Sequence, residues 1–428
     1  MKITVQSSYH MSFATKSQLI RAMFDAAIAA AQPHQFMPDA VRTLLPDTIT
    51  GRLFVTGFGK ASAAMAQALE AEMPNELAQK IYGKIIIPDG HEETLSRLEL
   101  MHASHPVPDA RSAAAAAYVL EEAGRLGADD MMLVLISGGG SSLMCLPRAP
   151  LTLSEKQDVT QQLLKKGAPI GAMNCLRKHL SAVKGGQLAV AAYPARTISF
   201  AISDVPGDEA SVIASGPTVA DETSRHDALA VIKQYGLDVP AAVLALLDSA
   251  VCETPFSDDA GLSTSNFHLL ATPQRSLEAA ADIAQHAGYE PVILGDALEG
   301  NSRDLAAEQA QLAIEMGPGK ALISGGETTV MVTGTGSGGR NAEFAHALAL
   351  EGRFDALAAD TDGIDGAAAI AGAIISPDTV ERAAAAGLDA YAMLQNNDSH
   401  SFFAALGDQI ITGPTRTNVN DFRVILTG

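Results

Sequence analysis

Apolar strands that break abruptly into glycine-rich loops, each followed by a helix, recur along this chain and narrow its possible folds more than any other feature. RLFVTG at 52–57 runs into GFGKAS and an alanine-rich stretch, MMLVLI at 131–136 runs into SGGGSS, and TISFAI at 197–202 runs into SDVPGD. Six-residue apolar runs without alternation mark strands buried on both faces, which need helices on both sides of a mostly parallel sheet. KIIIP at 84–88 and an alanine-rich helix over 109–126 keep the same alternation. The pattern predicts an α/β protein that begins with a Rossmann-like three-layer α/β/α domain.

The chain has 428 residues, and single cores stop growing at about 250–300 residues, so a second domain is expected. Periodicity fails at CETPFSDDAGLS, residues 251–262, where Pro, Asp, Gly and Ser gather. This places a domain boundary between 1–255 and 256–428. The helical spacing of residues 14–32 gives the first domain an amphipathic opening helix. After 262 the alternation resumes with NFHLLA, EPVILG and KALIS, whereas the closing VNDFRVIL is read as antiparallel, giving a second α/β domain with a mixed sheet.

Twenty-nine Lys+Arg against 49 Asp+Glu leave a net charge of −20. That balance argues against nucleic acid or an anionic membrane surface as partner, so any anionic ligand has to be held by a local cluster of donors. The three cysteines, Cys145, Cys175 and Cys252, have neither zinc spacing nor an even count, which fits a reducing, cytoplasmic setting. Residues 1–13 carry no apolar run of signal-peptide length, and no stretch is expected to span a bilayer.

Five loops carry candidate chemistry. Gly57 and Gly59 let an anion approach the main chain, and Lys60 adds a positive charge at a helix entrance; the spacing is not that of a Walker A loop. Ser137, Gly138, Gly139, Gly140, Ser141 and Ser142 offer a nest of N–H groups with two hydroxyls behind it, a plausible phosphate cradle. Asp204 and Asp208 follow a strand, where a carboxylate can ligate magnesium or accept a proton from an attacking hydroxyl. Gly338, Gly339, Arg340 and Asn341 open a helix and could meet an anion. Asp362 lies in DTDGIDG, whose clustered carboxylates could hold magnesium. Asp, Pro and Gly are also ordinary turn formers, so a purely structural role stays open for each loop. Upstream of the third loop, Asn174, Arg177, Lys178, His179 and Lys184 form a basic cluster unusual in so acidic a chain; it reads equally as a solvated helix face. Gly334, Gly336 and Gly339 satisfy Gly-x-Gly-x-x-Gly, with Asp360 near the position of a ribose-binding acid. An NAD(P)-dependent reductase is therefore a rival reading, with hydroxypyruvate as substrate only on the family label given below, and a non-catalytic small-molecule binding protein is a second.

Taken in order, GFGKAS, SGGGSS, NCLRKHLSAVKGGQLA, SDVPGDEASVIASGPT, SGGETTV, GGRNAEF, DTDGIDG and TNVNDFRVIL resemble the class II glycerate kinase family from about residue 15 to the C-terminus. The last of these resembles the MOFRL region of that family, whose members also carry the label hydroxypyruvate reductase. The resemblance implies ATP, Mg2+ and D-glycerate as ligands, an active site in an interdomain cleft, and 2-phosphoglycerate as product. Carried over motif by motif, Lys60 and Arg340 would stabilise the transferring phosphoryl group and Asp204 would act as base or metal-site residue. The glycine loops would hold ATP phosphates and substrate carboxylate. Oligomeric state is left open, a homo-oligomer included.

Overall fold

A computed structural model describes residues 14–366 and 369–428. Residues 1–13, read above as lacking a signal-peptide run, lie outside the described part. Among the described residues no helix is long and apolar enough to cross a membrane.

The chain divides into two compact units, residues 33–270 and residues 1–32 with 271–428. In the first, the strands are β1 Leu53–Phe58, β2 Ile81–Tyr82, β3 Lys84–Ile87, β4 Glu99–His102, β5 Met131–Ile136, β6 Arg196–Ile202 and β7 Ser265–Ala271. They form one sheet in the order β4-β3-β1-β5-β6-β7, with β2 beside β1. β1 runs parallel to β3 and to β5, and the β3–β4 and β5–β6 pairs are parallel too. Every residue of β1 and of β5 is buried, as their unbroken apolar runs required. Phe54, Phe58, Met132, Val134 and Ile136 share a core with Ala115, Ala116 and Val119 of the helix Ala110–Ala123. Val55, Leu133 and Leu135 point to the opposite face and are equally buried, which gives the three layers. A separate helical cluster joins Leu153–Lys165, Ile170–His179, Arg225–Gln234 and Ala241–Asp248 through Val159, Leu163, Leu176, Ile232 and Leu247.

The second unit contains β8 Glu290–Gly295, β9 Glu299–Asn301, β10 Lys320–Ser324, β11 Glu327–Thr329, β12 Asp355–Asp360, β13 Gly372–Ile375, β14 Gln409–Ile410 and β15 Asp421–Leu426. Its main sheet has the order β14-β13-β12-β15-β10-β8; β9 and β11 pair apart from it. Only β8–β10 is parallel among its described pairings, the others being antiparallel, so the sheet is mixed. The closing strand β15 is wholly buried between β12 and β10.

Two features differ from the sequence expectation. The opening helix Lys16–Ala30 belongs to the second unit: its Leu19, Ile20, Met23, Phe24 and Ala27 pack with Leu277, Ala280 and Ala284 of the helix Pro273–His286, and Phe24 lies 5.7 Å from the Phe422 ring. A face of matching apolar residues some 250 positions away in the chain wins over sequence proximity. Residues 251–262, expected to connect domains, are instead part of the first unit, where Cys252 is buried and the Thr254 hydroxyl donates to Asp221 at 3.0 Å. The chain passes between units at 270/271, at the last residue of β7.

Candidate functional site

In the first unit the chain steps from β1 outward to β3 on one side and to β5 on the other. Strand order reverses there, and the loops leaving β1 and β5 flank the crevice where open α/β sheets bind ligands. These are Gly57–Ser62 and Ser137–Ser142. They are laced together: the Lys60 amide donates to the Gly138 carbonyl at 2.9 Å, the Ala61 amide to the Ser137 Oγ at 3.0 Å, and the Ser62 hydroxyl to the Leu135 carbonyl at 3.1 Å. Gly59, at φ +144°, has no room for a side chain, because a Cβ would lie 2.1 Å from the Ser137 Oγ. The sequence-predicted glycines thus let two loops close on each other, and Lys60 sits at their junction, half-buried, just before the helix Ser62–Glu72.

Beneath the second loop lies a buried polar cluster. The Ser141 and Ser215 hydroxyls are 2.9 Å apart, and Ser215 donates to Asn174 Oδ1 at 3.2 Å. Ala214, Ser215 and Gly216 all hold left-handed backbone, at φ +51°, +63° and +57°. For the two non-glycine residues this costs about 1–3 kcal/mol each, strain of a kind that concentrates at functional sites. The Lys184 ammonium donates to the Ser141 carbonyl at 2.8 Å, and Lys156 donates to the carbonyls of Arg177 and Leu180 at 3.0 Å each. Beside this cluster is a cavity of about 610 Å³, its walls including Gly139, Ser141, Lys156, Arg177 and Lys184, within the range of small-molecule sites. Among the described residues the Arg177 guanidinium has no hydrogen bond or ion pair, and burial lowers its pKa.

Burial also pushes Lys184 down to about 7 and Lys156 to about 8. An anion entering the cavity favours the protonated form of both. Affinity for an anion is therefore expected to fall as pH rises through about 7 to 8, with proton uptake on binding. Calorimetry in buffers of different ionisation enthalpy measures that uptake, and Lys184→Met is expected to diminish it.

Asp204 and Asp208 follow β6 in the same unit, both half-buried, with Asp208 at φ +56°. The other predicted residues lie in the second unit. Arg340 opens the helix Arg340–Glu351 and is fully engaged as an ion-pair hub: Nε to Asp421 at 2.8 Å, Nη1 to Glu327 at 2.8 Å and Nη2 to Asp360 at 2.6 Å. Asp360 is pushed well above the ordinary carboxylate range by burial and by neighbouring Asp362, against the pull of Arg340. Beside the hub, Arg423 lies fully buried in β15, paired with Asp421 and donating to the Gly325 carbonyl at 2.8 Å.

The helix N-terminus behind Arg340 is already filled. Asp365 accepts from the amides of Asn341 and Ala342 at 3.0 and 2.8 Å, and the Asn341 side chain donates to Asp421 at 2.7 Å. A Cβ on Gly339 would sit 2.3 Å from the Asp365 carboxyl, so that glycine admits an internal carboxylate. Asn341, expected to contact a cofactor, is wholly buried and positions these two aspartates. Asp362 is buried and accepts from the Ile364 amide at 2.8 Å. Among the described residues no group of three or more His, Cys, Asp or Glu is placed to hold a metal ion.

The Gly-x-Gly-x-x-Gly segment is moulded onto the chain at 396–398. Asn397 Oδ1 accepts from the amides of Thr333 and Gly334, Asn396 Oδ1 from Thr335, and Asp398 Oδ1 from Ser337. Gly336 donates to the Asn396 carbonyl at 2.9 Å. The segment follows β11, outside the main sheet, and its amides from Thr333 to Ser337 are bonded within the protein, so it does not leave a main-sheet strand as a dinucleotide fingerprint does. Sequence reasoning noted Arg177 and Lys184 as part of a basic cluster without choosing between site and surface. It missed Lys156, which sits in the polar helix LSEKQDVTQQLLK, and it noted Ser215 only as part of SDVPGDEASVIASGPT, without a role of its own.

The comparisons agree with this picture. Residues 19–248 match the family described as "Domain of unknown function (DUF4147)" and residues 320–421 the MOFRL family. A protein of Agrobacterium vitis named "Putative hydroxypyruvate reductase" is 46% identical, over 96% of this chain and 94% of its own. The D-glycerate 2-kinase of Thermotoga maritima is 38% identical, over 90% of this chain and 93% of its own. The crystal structure of a glycerate kinase from Thermotoga maritima superposes with a TM-score of 0.85 at 36% identity, covering 96% of this chain and 99% of that one. At these identities and coverages the chain belongs to the class II glycerate kinase family, with the MOFRL region in its second unit.

Proposed function

We propose that this protein phosphorylates D-glycerate with ATP, giving 2-phospho-D-glycerate and ADP. The observation that carries the reading is the pair of interlocked loops after β1 and β5, at the reversal of strand order, with Lys60 at a helix entrance and buried cations alongside. Phosphoryl transfer asks for little covalent chemistry from a protein; cations and main-chain donors stabilise charge on the moving group. Kinase names among relatives that align over almost the whole chain support the same reaction class.

In this reading Lys60 and Arg340 stabilise the transferring phosphoryl group, and Asp204 accepts the proton of the attacking hydroxyl. Magnesium would arrive with the nucleotide, whose phosphate oxygens supply much of its coordination, so one or two protein carboxylates suffice. Asp204, Asp208 and Asp362 are the candidates for that role, and the metal supplies charge neutralisation along the phosphates. The reductase alternative loses its main support, because the glycine segment it relied on lies outside the main sheet and has the amides of residues 333–337 occupied by residues 396–398.

The expected result is ADP formation that requires both D-glycerate and magnesium, with a phosphorus NMR signal of a 2-phospho ester. NADH oxidation by hydroxypyruvate, without glycerate-dependent ADP, would overturn the assignment.

A further inference from the structure

Ser337, His400 and Asp365 lie in one hydrogen-bonded line in the second unit. The Ser337 Oγ is 3.3 Å from the His400 Nδ1, and the His400 Nε2 is 3.4 Å from the Asp365 Oδ2. Three separate segments meet there: the glycine segment 334–339, the helix Ser399–Leu406 and the loop that follows β12. His400 and Asp365 are buried, at 4% and 1% exposure, whereas Ser337 is exposed. Serine–histidine contacts of this length are common before substrate binds and tighten in the complex.

The surroundings decide which ring nitrogen holds the proton. Asp365 accepts from the amides of Asn341 and Ala342 at 3.0 and 2.8 Å, the second through the same Oδ2 that faces His400. That oxygen is an acceptor, so Nε2 is the N–H side of the imidazole and the lone pair sits at Nδ1, toward the Ser337 hydroxyl. A hydroxyl that donates to a histidine, whose far nitrogen is held by a buried carboxylate, is the arrangement that activates serine as a nucleophile. The nearby pair of Ser399 and His346 shows the structural counterpart. At 3.1 Å it is closer, yet both residues are wholly buried and no carboxylate hydrogen-bonds to His346 among the described residues.

The main chain of Ser337 is pinned while its side chain faces out. Its amide donates to Asp398 Oδ1 at 3.0 Å, and its carbonyl accepts from the His400 amide at 2.9 Å. A Cβ on Gly336 would lie 2.4 Å from the Asp398 Cβ, and one on Gly338 2.8 Å from the Asn397 carbonyl oxygen, so glycine on both sides lets the serine close on this turn. The amides of Gly338 and Gly339 make no hydrogen bond among the described residues. Main-chain donors just after a nucleophile are suited to a developing oxyanion. Met331 and Val332, earlier on the same segment, are 69% and 75% exposed and offer apolar surface to an uncharged acyl group.

We propose that Ser337 is a nucleophile toward short carboxylic esters, an acyl-transfer activity separate from phosphoryl transfer. The Ser337 Oγ attacks the ester carbonyl carbon while its proton passes to His400 Nδ1. The bond from that carbon to the alkoxy oxygen breaks, and the leaving alcohol takes the proton from Nδ1. Water then attacks the acyl-serine and gives a proton to Nδ1, which returns it to the departing Ser337 oxygen. The sum is ester plus water to acid plus alcohol.

The test uses the full chain, a fluorophosphonate probe located by peptide mass spectrometry, and p-nitrophenyl acetate as substrate. In the wild type the probe is expected on Ser337. His400→Gln keeps an amide donor for Asp365 but has no proton acceptor of imidazole basicity, and is expected to slow labelling by about 10²-fold or more. Ser337→Ala alters an exposed side chain and is expected to lose both the label and the ester turnover, with folding checked by thermal melting; it decides alone if His400→Gln does not fold. An unlabelled Ser337, labelling as fast in folded His400→Gln as in the wild type, or equal ester turnover in the wild type and Ser337→Ala overturns the proposal. None of these outcomes depends on whether glycerate is phosphorylated.

Discussion

Arg340→Ala is expected to lower the stability of the second unit by about 3–5 kcal/mol, the cost of removing one partner from a buried ion pair, as well as to abolish most turnover. Arg340 bridges Asp421, Glu327 and Asp360, and two of these carboxylates are buried. Without the guanidinium, Asp360 faces Asp421 and Asp362 with Arg423 as the remaining nearby cation. At about 2–4 °C per kcal/mol for a unit of this size, the melting temperature should drop by on the order of 10 °C. The pH dependence is diagnostic. Burial and Asp362 already hold the Asp360 carboxyl above its unfolded value, and loss of the guanidinium raises it further, so the folded variant binds more protons at this group and its deficit should shrink as pH falls. Arg340→Lys restores charge without the three-way fork, and is expected to recover part of the stability and little of the turnover. Thermal melting of the three proteins across pH measures the stability changes, and glycerate-dependent ADP formation measures the turnover. A melting temperature in Arg340→Ala equal to that of the wild type would show that the hub carries no stability.

How much of this was legible in the chain depends on how local the physics is. β1, β5 and β6 were readable because buried parallel strands are continuous apolar runs, and the loops after them because glycine marks close backbone approach. The purpose of the glycines was not readable: Gly59 makes room for Ser137, and Gly339 for Asp365, each a partner far away in sequence. The same holds for Arg340, whose position at a helix entrance was evident while its three carboxylates come from three different segments. TTVMVTG has the composition of a strand, yet Met331 and Val332 are exposed and only Thr329 and its predecessors pair. Lys156 shows the reverse error, a charged residue in a polar helix that is buried because two helix-terminal carbonyls receive its ammonium.

Lys60→Ala tests the chemistry of the loop that follows β1. The backbone at this position is held from both sides: its amide donates to the Gly138 carbonyl at 2.9 Å, and its carbonyl lies 3.0 Å from the His91 Nδ1. Neither bond involves the side chain, and the neighbouring residues Gly59 and Ala61 keep their own contacts with Ile86 and Ser137. Truncation to alanine keeps these backbone anchors and is expected to lower kcat by at least about 10²-fold, the loss associated with one electrostatic stabiliser of the transition state, with thermal melting run beside the assay to separate any loss of stability. The double variant with Arg340→Lys sharpens the point. If both cations act on the same phosphoryl group, as proposed, their effects are not independent, and the double variant should be slower than the wild type by much less than the product of the single effects. Fully multiplicative losses would mean that the two residues act on separate steps, and an unchanged kcat in Lys60→Ala would remove that side chain from the reaction altogether.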